Sequence, residues 1–128
     1  MENLADTMPF ARHLGVNVTE ATKESVVGEM VVREEFCTLG KSIHGGAVMA
    51  FADSLAAIGA YLNLPEGAAG TTTIESKTNF LGRAAEGSTV TATSTPVSVG
   101  KRVSVWQTKM TNEDGKAVAL VTQTQLVL

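Results

Sequence analysis

The chain has one cysteine, two histidines and no block of basic residues in 128 positions, and each shortage removes a class of function. A lone thiol, Cys37, forms no internal disulfide and suits a reducing cytoplasm, where the chain is expected to reside. His13 and His44 lie apart, without the cysteine or carboxylate spacing of a metal centre, so no metal site is expected. Ten basic residues against thirteen acidic give a formal charge of −3. With no cationic run to neutralise a phosphate polymer or lipid headgroups, neither a nucleic-acid nor a membrane partner is expected. Neither a Rossmann glycine fingerprint nor a P-loop occurs. Repeats, linkers and low-complexity tracts are absent as well, so the expectation is one domain over residues 1–128, with 44% hydrophobic residues to build its core. Met1–Phe10 carries Glu2, Asp6 and Pro9 and lacks the apolar centre of a secretory signal.

What is present is mostly strand. A short amphipathic helix is expected over Thr7–Leu14, with Gly15 ending it. Strands follow over Val16–Ala21 and Ser25–Arg33, joined by Thr22-Lys23-Glu24, and a loop over Glu34–Ile43. Beyond the Pro65–Gly70 loop come Thr71–Leu81, Ser88–Val99, Arg102–Thr111 and Ala117–Leu128. Alternation in the last is clearest at Val118, Leu120, Thr122, Thr124, Leu126 and Leu128. Asn112-Glu113-Asp114-Gly115 signals a hairpin. Trp106 alternates with Val105, so one of the two faces solvent or a partner. Between the two groups of strands, Gly45–Leu62 holds a single charge, Asp53, and no proline, enough for about five helical turns. A helix so apolar is a buried one. An α+β architecture follows, an antiparallel sheet wrapped round one central helix. The helix has nearly the length of a membrane span, but its alanines and glycines, Asp53 and its strand-rich context argue against one.

Residues 44–53, His-Gly-Gly-Ala-Val-Met-Ala-Phe-Ala-Asp, carry the chemistry. The first backbone N–H groups of a helix lack partners and sit at the positive end of its dipole, where a polarised carbonyl oxygen is welcome. Gly45 and Gly46 remove the side chains that would block its approach, although the pair also suits a plain loop-to-helix turn. Asp53 is costly to bury unpaired, so it is hydrogen-bonded, reached by solvent or used; alternatively it caps a separate helix over Ser54–Tyr61. Eight residues at ~1.5 Å rise put Gly45 and Asp53 about 12 Å apart on one helix. One carbonyl cannot touch both. If both serve one reaction they come from different subunits, which predicts a homodimer with sites across its interface.

The His-Gly-Gly opening, the aspartate nine residues after the histidine and the later Asn79-Phe80-Leu81 with Gly87 resemble hotdog-fold acyl-CoA thioesterases of the phenylacetate-degradation type, in the 4-hydroxybenzoyl-CoA thioesterase superfamily. The resemblance spans nearly the whole chain and implies the hotdog fold. It implies that the Gly45 N–H polarises the thioester carbonyl and that Asp53 is nucleophile or base for water, with His44 shaping the helix start. Where that family usually has Asn or Gln six residues before the histidine, to orient water or thioester, this chain has Thr38. The Ser or Thr that faces the acid corresponds to Thr73, with Thr71 and Thr72 as neighbours, and the family's Arg-Pro-Ala becomes Gly82-Arg83-Ala84.

Hydrolysis of an acyl-CoA is therefore expected, with no cofactor beyond the coenzyme A of the substrate itself. Gly46 is expected to join Gly45 at the carbonyl, and Arg83, Lys101 and Arg102 to meet the coenzyme's phosphates. Met49, Phe51 and Leu55 are expected to line the acyl chain, and Ala52, Ala56, Ala57 and Gly59 leave room for it or allow close helix packing. Pairing of dimers into a tetramer is open. So are two rival readings, a hotdog hydratase or dehydratase using His44, and a non-catalytic acyl-CoA-binding module suggested by Thr38. Cys37 and His44 as a nucleophile and base lack any supporting context.

Overall fold

The computed structural model describes residues 2–128. The chain opens with a 3₁₀ turn, Leu4–Thr7, and then α1, Pro9–Leu14. The expected helix from Thr7 therefore divides at Met8, which is extended at φ −107° and ψ 110°. A residue before proline is pushed out of the helical region, and Pro9 suits the first helical position. Gly15 ends α1 as expected, at φ 76°.

Strands β1 (Asn17–Ala21) and β2 (Val26–Val31) form a hairpin. The segment expected as a plain loop over Glu34–Ile43 holds a 3₁₀ turn at Glu34–Phe36 and a small hairpin, β3 (Cys37–Thr38) with β4 (Ser42–Ile43). Two-residue strands are too short to carry a period. Helix α2 runs unbroken from Gly45 to Leu62, so Asp53 lies inside it and caps nothing. The rest is β5 (Thr71–Phe80), β6 (Thr89–Val99), β7 (Val103–Thr111) and β8 (Ala117–Val127).

Six strands make one antiparallel sheet in the order β1-β2-β6-β7-β8-β5. It curls round α2, which touches every one of them. Two absent side chains allow that approach. A Cβ on Gly59 of the helix would lie 2.5 Å from the Trp106 ring, and one on Gly28 of β2 would lie 2.9 Å from a Leu55 methyl. Trp106 is thus the inward residue of its pair, wholly buried with its indole N–H donating to Ser104 Oγ at 2.9 Å. Val105 is half-buried on the outer face.

The register of β8 shows which way its alternating set points. The set Leu120, Thr122, Thr124 and Leu126 lies half-buried on the outer face, whereas Val121, Gln123 and Gln125 point at the helix and are fully buried. On β5 a bulge between Thr73 and Glu75 shifts the alternation by one. Thr73 pairs with Gln125 and Ser76 with Gln123, so Thr73, Ser76 and Thr78 all present hydroxyls on the inner face. Strand β5 is also an edge: β8 is its one partner among the described residues.

Candidate active site

At the start of α2, His44 is the N-cap, and its imidazole Nδ1 accepts the Gly46 N–H at 2.8 Å. Its ring proton therefore sits on Nε2. The His44 carbonyl accepts from Ala47 and Val48. Gly46 is thus committed to the cap, against the expectation that it helps polarise a substrate. The Gly45 N–H is left without a partner among the described residues. It points out at the positive end of an 18-residue helix. The bare Cα of Gly45 lies under the Phe80 ring, where an added Cβ would stand 3.1 Å from the nearest ring carbon.

Two turns along the same helix, Asp53 is partly buried and anchored on one oxygen. Its Oδ1 accepts from Thr73 Oγ1 at 2.6 Å and from Gln123 Nε2 at 2.7 Å. Gln125 Nε2 donates to Thr73 Oγ1 at 2.7 Å, and Thr71 Oγ1 donates to Gln125 Oε1 at 3.3 Å. A carboxylate only accepts, so every proton in this chain has one possible direction. Thr73 gives its hydrogen to Asp53, must therefore receive from the Gln125 amide, and so turns that amide's oxygen toward Thr71. Asp53 Oδ2 has no protein hydrogen-bond partner among the described residues.

Of the three threonines in question, Thr73 reaches the carboxylate directly and Thr71 through Gln125, while Thr72 is exposed across from Leu126. Gln123 and Gln125 were missed in the sequence, where the more apolar alternate set drew attention. Their signal is an i, i+2 pair of polar side chains following Val121 on an otherwise core-facing row. Gln123 Oε1, Ser76 Oγ and Thr78 Oγ1 are buried without partners among the described residues, a polar row on the inner face that runs from Gln123 toward the Phe80 end of β5.

The remaining candidates lie elsewhere. Thr38 is exposed on the β3–β4 hairpin that leads into His44, at the Gly45 end of the helix and away from Asp53. Arg83 braces that hairpin, its guanidinium donating to the Gly40 carbonyl at 2.6 Å. Lys101 and Arg102 sit in the β6–β7 turn at the opposite end of the sheet, where the Arg102 carbonyl accepts from Val127. Phe51 and Leu55 are fully buried in the protein's own core, so they line no substrate path; Met49 remains half-buried. Ala52 and Ala56 are likewise sealed, and Gly59 seats Trp106. Desolvation, reinforced by Glu86 and then Glu34, holds the Cys37 thiol above its ordinary value, which lowers its share of reactive thiolate.

Residues 40–119, spanning the helix start, Asp53 and Thr73, match the family model described as "Thioesterase superfamily". The chain belongs to the thioesterase superfamily. The enzyme class expected from the sequence, a thioester hydrolase, is the one for which that family and its plant relative are named. That relative, 1,4-dihydroxy-2-naphthoyl-CoA thioesterase 2 from Arabidopsis thaliana, is 34% identical over 97 residues, which are 76% of this chain and 60% of the plant protein. This chain thus spans less than two thirds of that protein's length. A solved structure of a variant of the phenylacetic acid degradation protein PaaI from Thermus thermophilus superposes with a TM-score of 0.85 at 27% identity, over 94% of this chain and 99% of that one. The E. coli PaaI protein gives 0.87 at 23% identity over 96% and 86%, a likeness of fold. The sheet curled round α2 is accordingly a hotdog fold.

Proposed function

We propose that this thioesterase-superfamily protein hydrolyses acyl-CoA thioesters at a site shared between two copies of the chain. The observation that carries the reading is the placement of the two halves along β5. Gly45, with its free N–H, lies against Phe80 at one end of the strand, and Asp53 is held by Thr73 near the other. Strand β5 is an open ten-residue edge with Ile74, Phe80 and Leu81 exposed, an invitation to pairing that folded proteins do not usually leave free. Two such edges paired antiparallel about a two-fold axis lay the Phe80 end of one on the Thr73 end of the other. The partner's Gly45 then approaches this copy's Asp53. Arg83 of one copy and Lys101 and Arg102 of the other fall at a common end, suited to the phosphates of coenzyme A. Oligomers larger than this dimer would use the outer face, where Val103, Val105 and Leu126 lie, since Trp106 is internal.

The Gly45 N–H donates to the thioester carbonyl oxygen and to the oxyanion that develops there, a contribution of about 3 kcal/mol for one such donor. Asp53 Oδ2 takes a proton from water as the water oxygen bonds to the carbonyl carbon. Collapse of the tetrahedral intermediate breaks the C–S bond, and the coenzyme thiolate leaves to take up a proton. Direct attack by Oδ2 through an acyl-enzyme anhydride uses the same geometry. The hydratase reading has less support, because His44 Nδ1 is committed to the helix cap. A cytoplasmic setting accords with a lone cysteine, Cys37.

Thiol release from aromatic and aliphatic acyl-CoAs tests the reading. The wild type should cleave at least one series, and Asp53→Asn should lower kcat several hundredfold, on the order of 3–4 kcal/mol, with the oligomer retained. No cleavage of any thioester would favour a binding module instead, and undiminished turnover by Asp53→Asn would remove the carboxylate from the chemistry.

A further inference from the structure

The proposed hydrolysis leaves open which acyl group is taken, and a groove beside the carboxylate addresses that. It lies between the N-terminal segment and the far half of α2, encloses about 470 Å³, and is lined by Leu4, Met8, Ala57, Ile58, Tyr61 and Leu62, with Thr71 at one end. Two observations join it to Asp53. Thr71 belongs to the hydrogen-bonded chain that ends on the carboxylate. Ala57 and Tyr61 follow Asp53 at i+4 and i+8, so the groove's floor lies along the helix just beyond the carboxylate, and the helix surface from Asp53 to its far end at Tyr61 spans about 12 Å. Its outer wall is fixed rather than loose. The Asn3 side chain donates to the Val16 carbonyl at 2.7 Å and accepts from the Val18 N–H at 3.0 Å, pinning the 3₁₀ turn to β1. Among the described residues, no charged side chain lines the groove.

We propose that this groove receives a neutral, apolar acyl group, aromatic or linear to about eight carbons, the length of that helix surface, and that Ala57 and Tyr61 set the limit. The inference rests on the hydrolytic reading for its position and on the groove's lining for its chemistry. An acyl group ending in a carboxylate would bury an unpaired charge against Leu4, Met8 and Ile58 and should be rejected.

The test is a chain-length series from acetyl- to dodecanoyl-CoA, with benzoyl-CoA, and with succinyl-CoA against its uncharged isostere 4-methylpentanoyl-CoA. In the wild type kcat/KM should rise about threefold per added methylene and then level near eight carbons. Succinyl-CoA should fall at least about a hundredfold below its isostere. Ala57→Leu should cut the octanoyl-to-butyryl ratio by about tenfold or more, and Tyr61→Ala, at an exposed position, should move the plateau to longer chains. A profile flat in chain length, one unmoved by both substitutions, or a preference for succinyl-CoA would overturn the assignment. The same series as non-hydrolysable thioethers, read by calorimetry as Kd, decides the groove separately from turnover. A protein that binds these with the same slope but cleaves nothing would sink the hydrolytic reading alone; a Kd independent of chain length would sink the groove.

Discussion

Replacing Thr73 by valine keeps the side chain's shape and removes one hydroxyl, the hinge of the chain that orients Asp53. Two bonds go with it. The first is the 2.6 Å bond to the carboxylate, and a hydrogen bond to a charged group is worth about 1.5–3 kcal/mol. Asp53 is only partly buried, so water recovers much of that loss. The second is the 2.7 Å bond from Gln125, whose side chain is fully buried, and an amide N–H left unsatisfied there costs about 1–3 kcal/mol. Together they predict destabilisation of about 2–4 kcal/mol and, for a chain of this size, a Tm lower by roughly 6–15 °C. Held by Gln123 alone, the carboxylate should be less well aimed, which should also cost about ten- to a hundredfold in kcat, with KM nearly unchanged, as misplacement of a reacting group does. Thermal unfolding by circular dichroism and thiol release measure the two effects on the same sample. Thr73→Ser retains the hydroxyl and should restore most of both. A valine variant with wild-type Tm and kcat, or a serine variant as damaged as the valine, would refute the reasoning.

Other perturbations separate fold from site. Gly59→Ala places a Cβ 2.5 Å from the Trp106 ring, which is fully buried and has nowhere to move. Overpacking should cost about 1–3 kcal/mol, offset by up to about 1 kcal/mol of helix propensity, visible as a lower denaturant midpoint; a higher midpoint would contradict the packing described. Because its pKa is raised, Cys37 carries less thiolate than an ordinary thiol at any pH below that value. It should react with iodoacetamide more slowly in the native protein than in urea at pH 8, and the gap should narrow as the pH rises; equal rates at pH 8 would show an unshifted thiol.

The central helix was legible to its end residues, because between His44 and Asn63 only Asp53 is charged and no proline interrupts the run. The long strands were legible within a residue or two for the same kind of reason, alternation bounded by turn residues. Where reading failed, a tertiary neighbour decided. Pro9 reset the N-terminal helix through its effect on Met8. The β3–β4 hairpin is held by Arg83, forty-three positions from Gly40. On β8 the alternation marked a set through Leu120 and Leu126 without saying which way it faces; the glutamines of the other set go inward, where Asp53 and Thr73 meet them. Gly45 and Asp53 stood out from the bare helix start and the single charge in an apolar helix, and Thr73 was named through the family resemblance. Gly46 was overestimated because a cap made by His44 is not written in spacing. The groove was invisible in sequence, since it exists only once Leu4 and Met8 fold over the far turns of α2.

Subunit complementation tests the shared site most directly. Asp53→Asn removes the carboxylate, and Gly45→Pro removes the N–H that has no partner among the described residues, at a helix position that tolerates proline. Each variant alone should be nearly inactive. In a dimer made of one copy of each, one site carries both lesions and the other neither, so the purified mixed dimer should recover about half the wild-type thiol release. A mixed dimer as inactive as its parents would contradict the account, because it would mean that Gly45 and Asp53 of the same copy serve the same substrate.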